Sequence, residues 1–182
     1  MVALIEAVRR LFNPRFTAGH RAERAFERLA AERGWVLEPI PQDRATFRKY
    51  AGASAVGVKR GDYLVRNLGN VEVDVKCFTV YDYGEPGYLI EYAHVKRHEA
   101  MEQMTGSPVV FAVFERSGRS PVEGSLRMIP LSELVGRERA PDVEYIRARK
   151  CLHVPVWTMY PGFDLFDHIR AHGGVLGDGR IW

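Results

Sequence analysis

Gly61-Asp62-Tyr63-Leu64-Val65-Arg66-Asn67-Leu68-Gly69-Asn70-Val71-Glu72-Val73-Asp74-Val75-Lys76-Cys77-Phe78 is the stretch that decides the fold. Two short β-prone runs flank an Asn/Gly-bearing turn, and from Val71 to Cys77 apolar and charged residues alternate strictly, the period-two signature of a strand with unlike faces. The stretch predicts a hairpin. Val71, Val73, Val75 and Cys77 share one face and Glu72, Asp74 and Lys76 the other, because successive Cβ atoms on a strand point to opposite sides. One face is core and one is charged.

A row of Glu, Asp and Lys on a sheet face is either solvated or binds something. If the turn spans three residues, Asn67 to Gly69, Asp62 lies directly opposite Asp74, with Cβ atoms ~5 Å apart on the charged face. Two carboxylates that close repel unless a cation sits between them. A two-residue loop would slip the register by one and turn Asp62 to the other face.

Asp62, a β-turn-β spacing, then Asp74-Val75-Lys76 resembles the core motif of the PD-(D/E)XK nuclease superfamily, which includes many restriction enzymes and archaeal Holliday junction resolvases. Gly61 stands where the eponymous proline often sits, and Lys76 is the only lysine of the chain with an acidic residue two positions before it. The resemblance runs from about residue 18 to about residue 115. It implies a restriction-endonuclease-like α/β fold, a mixed β-sheet flanked by α-helices. It also implies a Mg²⁺ site, with Mn²⁺ as substitute, held by Asp62, Asp74, the backbone carbonyl of Val75 and a glutamate from a preceding helix. That glutamate typically lies some three turns ahead of a Gly-aromatic pair, the relation Glu23 bears to Gly34-Trp35. In such a site Lys76 orients the attacking water and stabilises developing negative charge, and Glu72, on the same face, is an extra candidate ligand.

Size and composition are compatible with this. The 182 residues suit one domain with an appended piece, and the apolar and charged fractions are those of an ordinary globular protein. The opening Met1 to Arg10 carries Glu6 inside its apolar run and no small-residue cleavage site, so it makes a poor signal peptide, and no run is long enough to span a bilayer. Cys77 and Cys151 are too few for a disulfide framework, which points to a reducing cytoplasm. A net charge of +3 permits nucleic-acid binding without demanding it.

Along the chain, Val2 to Phe12 predicts a short leading helix stopped by Asn13-Pro14. A second helix is expected from about Ala18 to Arg33, capped by Thr17, with Ala22, Ala25, Phe26, Leu29 and Ala30 as its apolar stripe and Gly34 as its stop. Glu23 falls on the border of that stripe, and arginines such as Arg21 crowd the other faces. Trp35 to Ile40 reads as a strand. Residues 42–60 are basic and loop-like, either a track along a phosphate backbone or a solvated connection. Tyr81 and Tyr83 sit in turn chemistry and could stack on bases or pack on a sheet edge.

Tyr88 to Met104 fits a helix, or a strand entering one. Lys96, Arg97 and His98 on its exposed part are candidate phosphate contacts, as is Arg21. His94 and His98 are four apart but have no further ligand nearby, which excludes a zinc site. Pro108 to Phe114 predicts a buried parallel strand. Beyond Gly118, strands at 126–129 and 152–157, a short helix at 131–135 and a final helix at 163–171 either extend the sheet or form a cap.

The expected organisation is a helix and linker over 1–17, a nuclease-like core over 18–116 and a sheet extension over 117–182. The expected function is metal-dependent hydrolysis of phosphodiester bonds in DNA by an endonuclease, with no membrane partner and with room for a homodimer. The alternative is the same fold with a vestigial site, serving as a nucleic-acid-binding or assembly module.

Overall fold

The computed structural model describes residues 14–41, 57–138, 145–146 and 150–173. The leading helix expected over 2–12, most of the basic segment 42–60 and the tail beyond 173 lie outside the described residues. Helix α1 (Pro14–Glu32) begins three residues before the expected cap, so Thr17 stands inside it. Proline tolerates the first helical turn because its missing N–H would have no partner there. Gly34, at φ +76°, ends the helix, and Trp35 N–H donates to the Ala30 carbonyl at 2.9 Å.

The strands are β1 (Leu37–Pro39), β2 (Tyr63–Val65), β3 (Val71–Phe78), β4 (Val80–Asp82), β5 (Pro86–Glu91), β6 (Val109–Ser117), β7 (Ser120–Pro121), β8 (Arg127–Pro130), β9 (Tyr145–Ile146), β10 (Cys151–Pro155) and β11 (Tyr160–Pro161). Helices α2 (Tyr92–Thr105), α3 (Leu131–Glu138) and α4 (Asp164–Ala171) complete the described elements. The run from Tyr88 thus divides into strand β5 and helix α2.

The central sheet runs β1-β2-β3-β6-β8-β11, with β7 paired to β6. Strands β3 and β6 are parallel and every other pair is antiparallel, so this is a mixed α/β sheet flanked by helices. A second sheet, β4-β5-β10-β9, lies beside it. Strands β8 and β11 extend the central sheet, whereas β10 pairs with β5 in the second.

Alternation along β6 divides the core. Val110, Ala112 and Phe114 join Val71, Val73, Val75, Phe26 of α1 and Phe166 of α4 on one face. Val109, Phe111 and Val113 join Val95 of α2, Leu131 and Leu134 of α3 and Leu152 of β10 on the other. The apolar row of β3 therefore lies under α1, as its pattern predicts. The charged row faces the opposite way, toward α2, and is not solvated: Glu72 and Asp74 are both 0% exposed.

The β2–β3 connection is longer than expected but keeps the expected register. Tyr63 pairs with Val73 and Val65 with Val71, the register that makes Asp62 and Asp74 neighbours across the ladder. One residue has moved from each strand into the turn, which leaves the pairing unchanged. A 3-10 turn at Arg66–Leu68 is followed by Gly69 at φ +71° and Asn70 at φ +62°. Asn67 pins the turn to the end of α1: Val36 N–H donates to its Oδ1 at 3.0 Å and its Nδ2 donates to the Gly34 carbonyl at 2.9 Å.

Gly61 is required by contact rather than by dihedral angle. A Cβ there would lie 2.8 Å from the Val73 carbonyl oxygen, and the Gly61 N–H donates to Glu72 Oε2 at 2.9 Å. A proline, lacking that N–H, would leave a buried carboxylate oxygen short of a donor. Gly61→Ala should lower stability by about 2 kcal/mol, a Tm loss of several degrees in a thermal melt, because the neighbouring atom is backbone and cannot give way. A melt within one degree of the parent would show that the strand relaxes freely there.

Candidate active site

The ladder of β2 stops at Tyr63, and just before it the Asp62 N–H turns onto the Val73 carbonyl at 2.7 Å. The Asp62 carboxylate in turn accepts from the Val75 N–H at 2.7 Å. This fixes the carboxylate at the point where β2 and β3 diverge. It lines a cleft of about 560 Å³ together with Gly19, His20 and Glu23 of α1, Val75 and Lys76 of β3, and Glu91 and His94 where β5 runs into α2.

Asp74 lies one layer deeper. Its Oδ1 accepts from Lys59 Nζ at 2.8 Å, its Oδ2 is paired with Lys76 Nζ, and His98 Nε2 is 3.2 Å from the same oxygen. Beside it, Glu72 is paired with Arg60 at 2.5 Å. Buried carboxylates survive because each is matched by a cation or an N–H; unpaired they would cost several kcal/mol.

These neighbours set opposite electrostatics on the two aspartates. Burial, with the Asp74 charge beside it, pushes the Asp62 carboxyl up to about 6 despite Lys76 and the Val75 N–H. Burial alone would also raise Asp74, but the ammonium groups of Lys76 and Lys59 outweigh it and hold that carboxyl well below the usual range. Burial opposes the charge on Lys76 too, yet Asp74 and Asp62 together raise its pKa. Lys59, with weaker compensation, is lowered by burial. Burial also lowers His98 and His94. The site therefore offers one firmly ionised aspartate, one reluctantly ionised aspartate and one firmly charged lysine.

The expected residues are partly assembled. Glu23, Asp62, Val75 and Lys76 line the same cleft, while Asp74 sits beneath it. The expected cage of three carboxylates is not drawn together: among the described residues no three His, Cys, Asp or Glu side chains are grouped to hold a metal ion. Glu23 is engaged by His20 Nδ1 at 3.0 Å, and both oxygens of Asp74 face basic side chains. Glu72, the extra candidate ligand, is held by Arg60 and the Gly61 N–H and does not line the cleft.

The expected phosphate contacts fare unevenly. His98 is fully buried, its ring edge-on to Phe111 at 5.1 Å, so its place on an exposed face is corrected. His98 turns inward instead, with its Nε2 3.2 Å from Asp74 Oδ2. Lys96 is paired with Glu99 at 2.9 Å, and Arg21 reaches Ser120 Oγ at 2.8 Å, tying α1 to the β6–β7 turn. Arg97 is exposed. Sequence reasoning missed Lys59 and Arg60 as site residues. The signal that could have found them is charge balance, since buried Glu72 and Asp74 need cations and these are the nearest basic side chains before Asp62.

The chain is similar to two solved structures. One is Hjc, a Holliday junction resolvase from Archaeoglobus fulgidus, at TM-score 0.49 and 13% identity over 81% of this chain and 99% of that one. The other is a nuclease from a fusselovirus, at TM-score 0.47 and 14% identity over 86% of this chain and 89% of that one. Both likenesses concern overall shape, and nothing about the site follows from them. No protein-family model and no curated protein matches the chain.

The raised Asp62 carboxyl has a measurable consequence in metal-free protein. Its folded pKa of about 6 lies above its ordinary value of 3.8, so the folded state keeps a proton that the unfolded chain gives up. Stability contributed by this group is present below pH 4 and is lost as pH rises through 6. Asp62→Asn cannot ionise and should therefore be more stable than the parent by about 1–3 kcal/mol at pH 8, the gain shrinking to nothing near pH 4. Urea titrations at the two pH values check both the sign and the window.

Proposed function

We propose that this chain is a divalent-metal-dependent endonuclease acting on DNA, with Asp62, Asp74 and Lys76 as its hydrolytic group and Glu23 beside them. The observation that carries the reading is the convergence on one cleft of Asp62, the Val75 main chain and a charged Lys76 whose ammonium is paired with Asp74. The donor set suits the ion: Mg²⁺ takes hard oxygen ligands, needs only one or two carboxylates from the protein and keeps several waters. Asp62, Asp74 and the Val75 carbonyl would hold it, and Glu23 lines the same cleft. Bound there, such an ion supplies Lewis-acid polarisation of the phosphate and a water of lowered pKa.

The chain's own residues do the rest. Lys76 Nζ lies 3.4 Å from the Val75 carbonyl oxygen; on this reading its positive charge would meet the negative charge that develops on the phosphoryl oxygens, and preorganised charge of this kind costs no reorganisation at the moment of reaction. Asp62, fixed by the Val75 N–H, presents its carboxylate to the cleft. Asp74, braced by Lys59 and His98, holds Lys76 in place. The Lys59 ammonium must yield Asp74 Oδ1 if that oxygen is to become a metal ligand.

That last condition favours a second reading, a nuclease-fold module that binds nucleic acid without cutting it. In such a protein Lys59 would be the permanent partner of Asp74. The two separate by calorimetry: a nuclease should show Mg²⁺ or Mn²⁺ binding that Asp62→Asn abolishes, and a binding-only module should show none.

The purified protein should nick or cut DNA when Mg²⁺ or Mn²⁺ is added. Asp74→Ala and Lys76→Ala should each lower the rate by at least about 100-fold, the scale seen when a charge-stabilising group is removed. Asp62→Asn should be equally inactive while folding more stably than the parent at neutral pH, so that lost activity cannot be blamed on lost structure. Cleavage unchanged in all three variants, or absent across plasmid, linear, single-stranded and branched DNA, would overturn the reading.

A further inference from the structure

The cleft does not end at Asp62 and Lys76. It continues along β3 past Cys77 and Phe78 to Thr79, and Leu89 and Cys151 of the second sheet also line it. Lys76 to Thr79 is three residues of extended chain, about 10 Å. That is the reach of one nucleotide from its phosphate to the outer edge of its base. The volume of about 560 Å³ is of the size that holds a small ligand.

The lining changes along this length. Around Asp62 it is charged, whereas elsewhere it is lined by Cys77, Phe78, Leu89 and Cys151, with Arg116 beside Thr79. Arg116 donates from Nη2 to Thr79 Oγ1 at 2.9 Å, which uses one of the five N–H donors of the guanidinium. At the mouth Tyr81, 36% exposed, stacks on Tyr83, 44% exposed, with ring centroids 6.3 Å apart. A phosphate needs cations and has no use for an apolar wall. An unstacked base needs apolar or aromatic surface for its faces and donors for its edge. A base within a continuous duplex enters only by leaving its stack and its pair, a cost of a few kcal/mol that an unpaired nucleotide does not bear.

Resting on the nuclease reading, we propose that this cleft takes an unpaired nucleotide, so that the substrate is DNA that is single-stranded at the cleaved position. The phosphate lies at Asp62 and Lys76, the base stacks on Tyr81, and Arg116 meets the edge of the base.

The test uses the full chain in EDTA, so that binding is read without cleavage. Fluorescence anisotropy compares a short single-stranded oligodeoxynucleotide, an abasic oligomer of the same length and a blunt duplex. The single strand should bind at least about tenfold more tightly than the abasic oligomer, on the scale of one base–aromatic stack, and more tightly than the duplex. Tyr81→Ala and Arg116→Ala should each cost about tenfold on the single strand and leave the abasic oligomer unchanged, while Tyr81→Phe should bind like the parent. Equal affinity for abasic and ordinary strands, duplex binding as tight as single-strand binding, or variants that weaken both oligomers alike would overturn the proposal. Metal-dependent cleavage without base-dependent binding sinks this inference and leaves the nuclease reading intact. Base-dependent binding without any cleavage supports the cleft and sinks the nuclease.

Discussion

The pairing of buried Asp74 with Lys59, Lys76 and His98 is the constraint on which the arrangement depends. A carboxylate at zero exposure is tolerable only when its charge is answered nearby. The answer here comes from three elements: the approach to β2, β3 itself and α2. Each is fixed relative to the others by sharing one anion. Because the same cluster holds Lys76 charged and raises Asp62, the interaction that orders the fold also sets the chemistry of the cleft.

Two faces of one strand do different work. The valines of β3 pack beneath α1 in a dry layer with Phe26 and Phe166, and that layer holds β3 in place. The charged row on the reverse side is thereby held with Asp74 and Lys76 in their charged forms, at the expense of the carboxylate across the ladder from it, Asp62. Its carboxylate is destabilised by its surroundings in the absence of a further cation, and a stability cost of that sort is expected at a site shaped for a ligand rather than for folding.

The hairpin and the division of β3 into apolar and charged rows were legible from the alternation of residues 71–77, while the register hung on a turn length that only the structure supplied. The buried parallel strand around 109–114 was legible from its continuous apolar run. Less was visible at the site. Asp62 and Lys76 were singled out by their spacing, and Val75 and Glu23 by the family resemblance, but the burial of Glu72, Asp74 and His98 was not foreseen, because polar residues at helical or strand spacing look solvated until a second element covers them. The roles of Lys59 and Arg60 were hidden inside a run of basic residues that carries no periodicity.

What the sequence by itself determined, then, was local: which residues share a face, where strands turn, and that two aspartates and a lysine stand side by side, all of which follow from backbone geometry within about fifteen residues. The tertiary structure alone decided that His98 of α2 and Lys59 meet Asp74 and that Arg116 and the second sheet line the cleft. Those contacts join segments distant in the chain. They depend on how helices and sheets pack, which no short period in the sequence encodes.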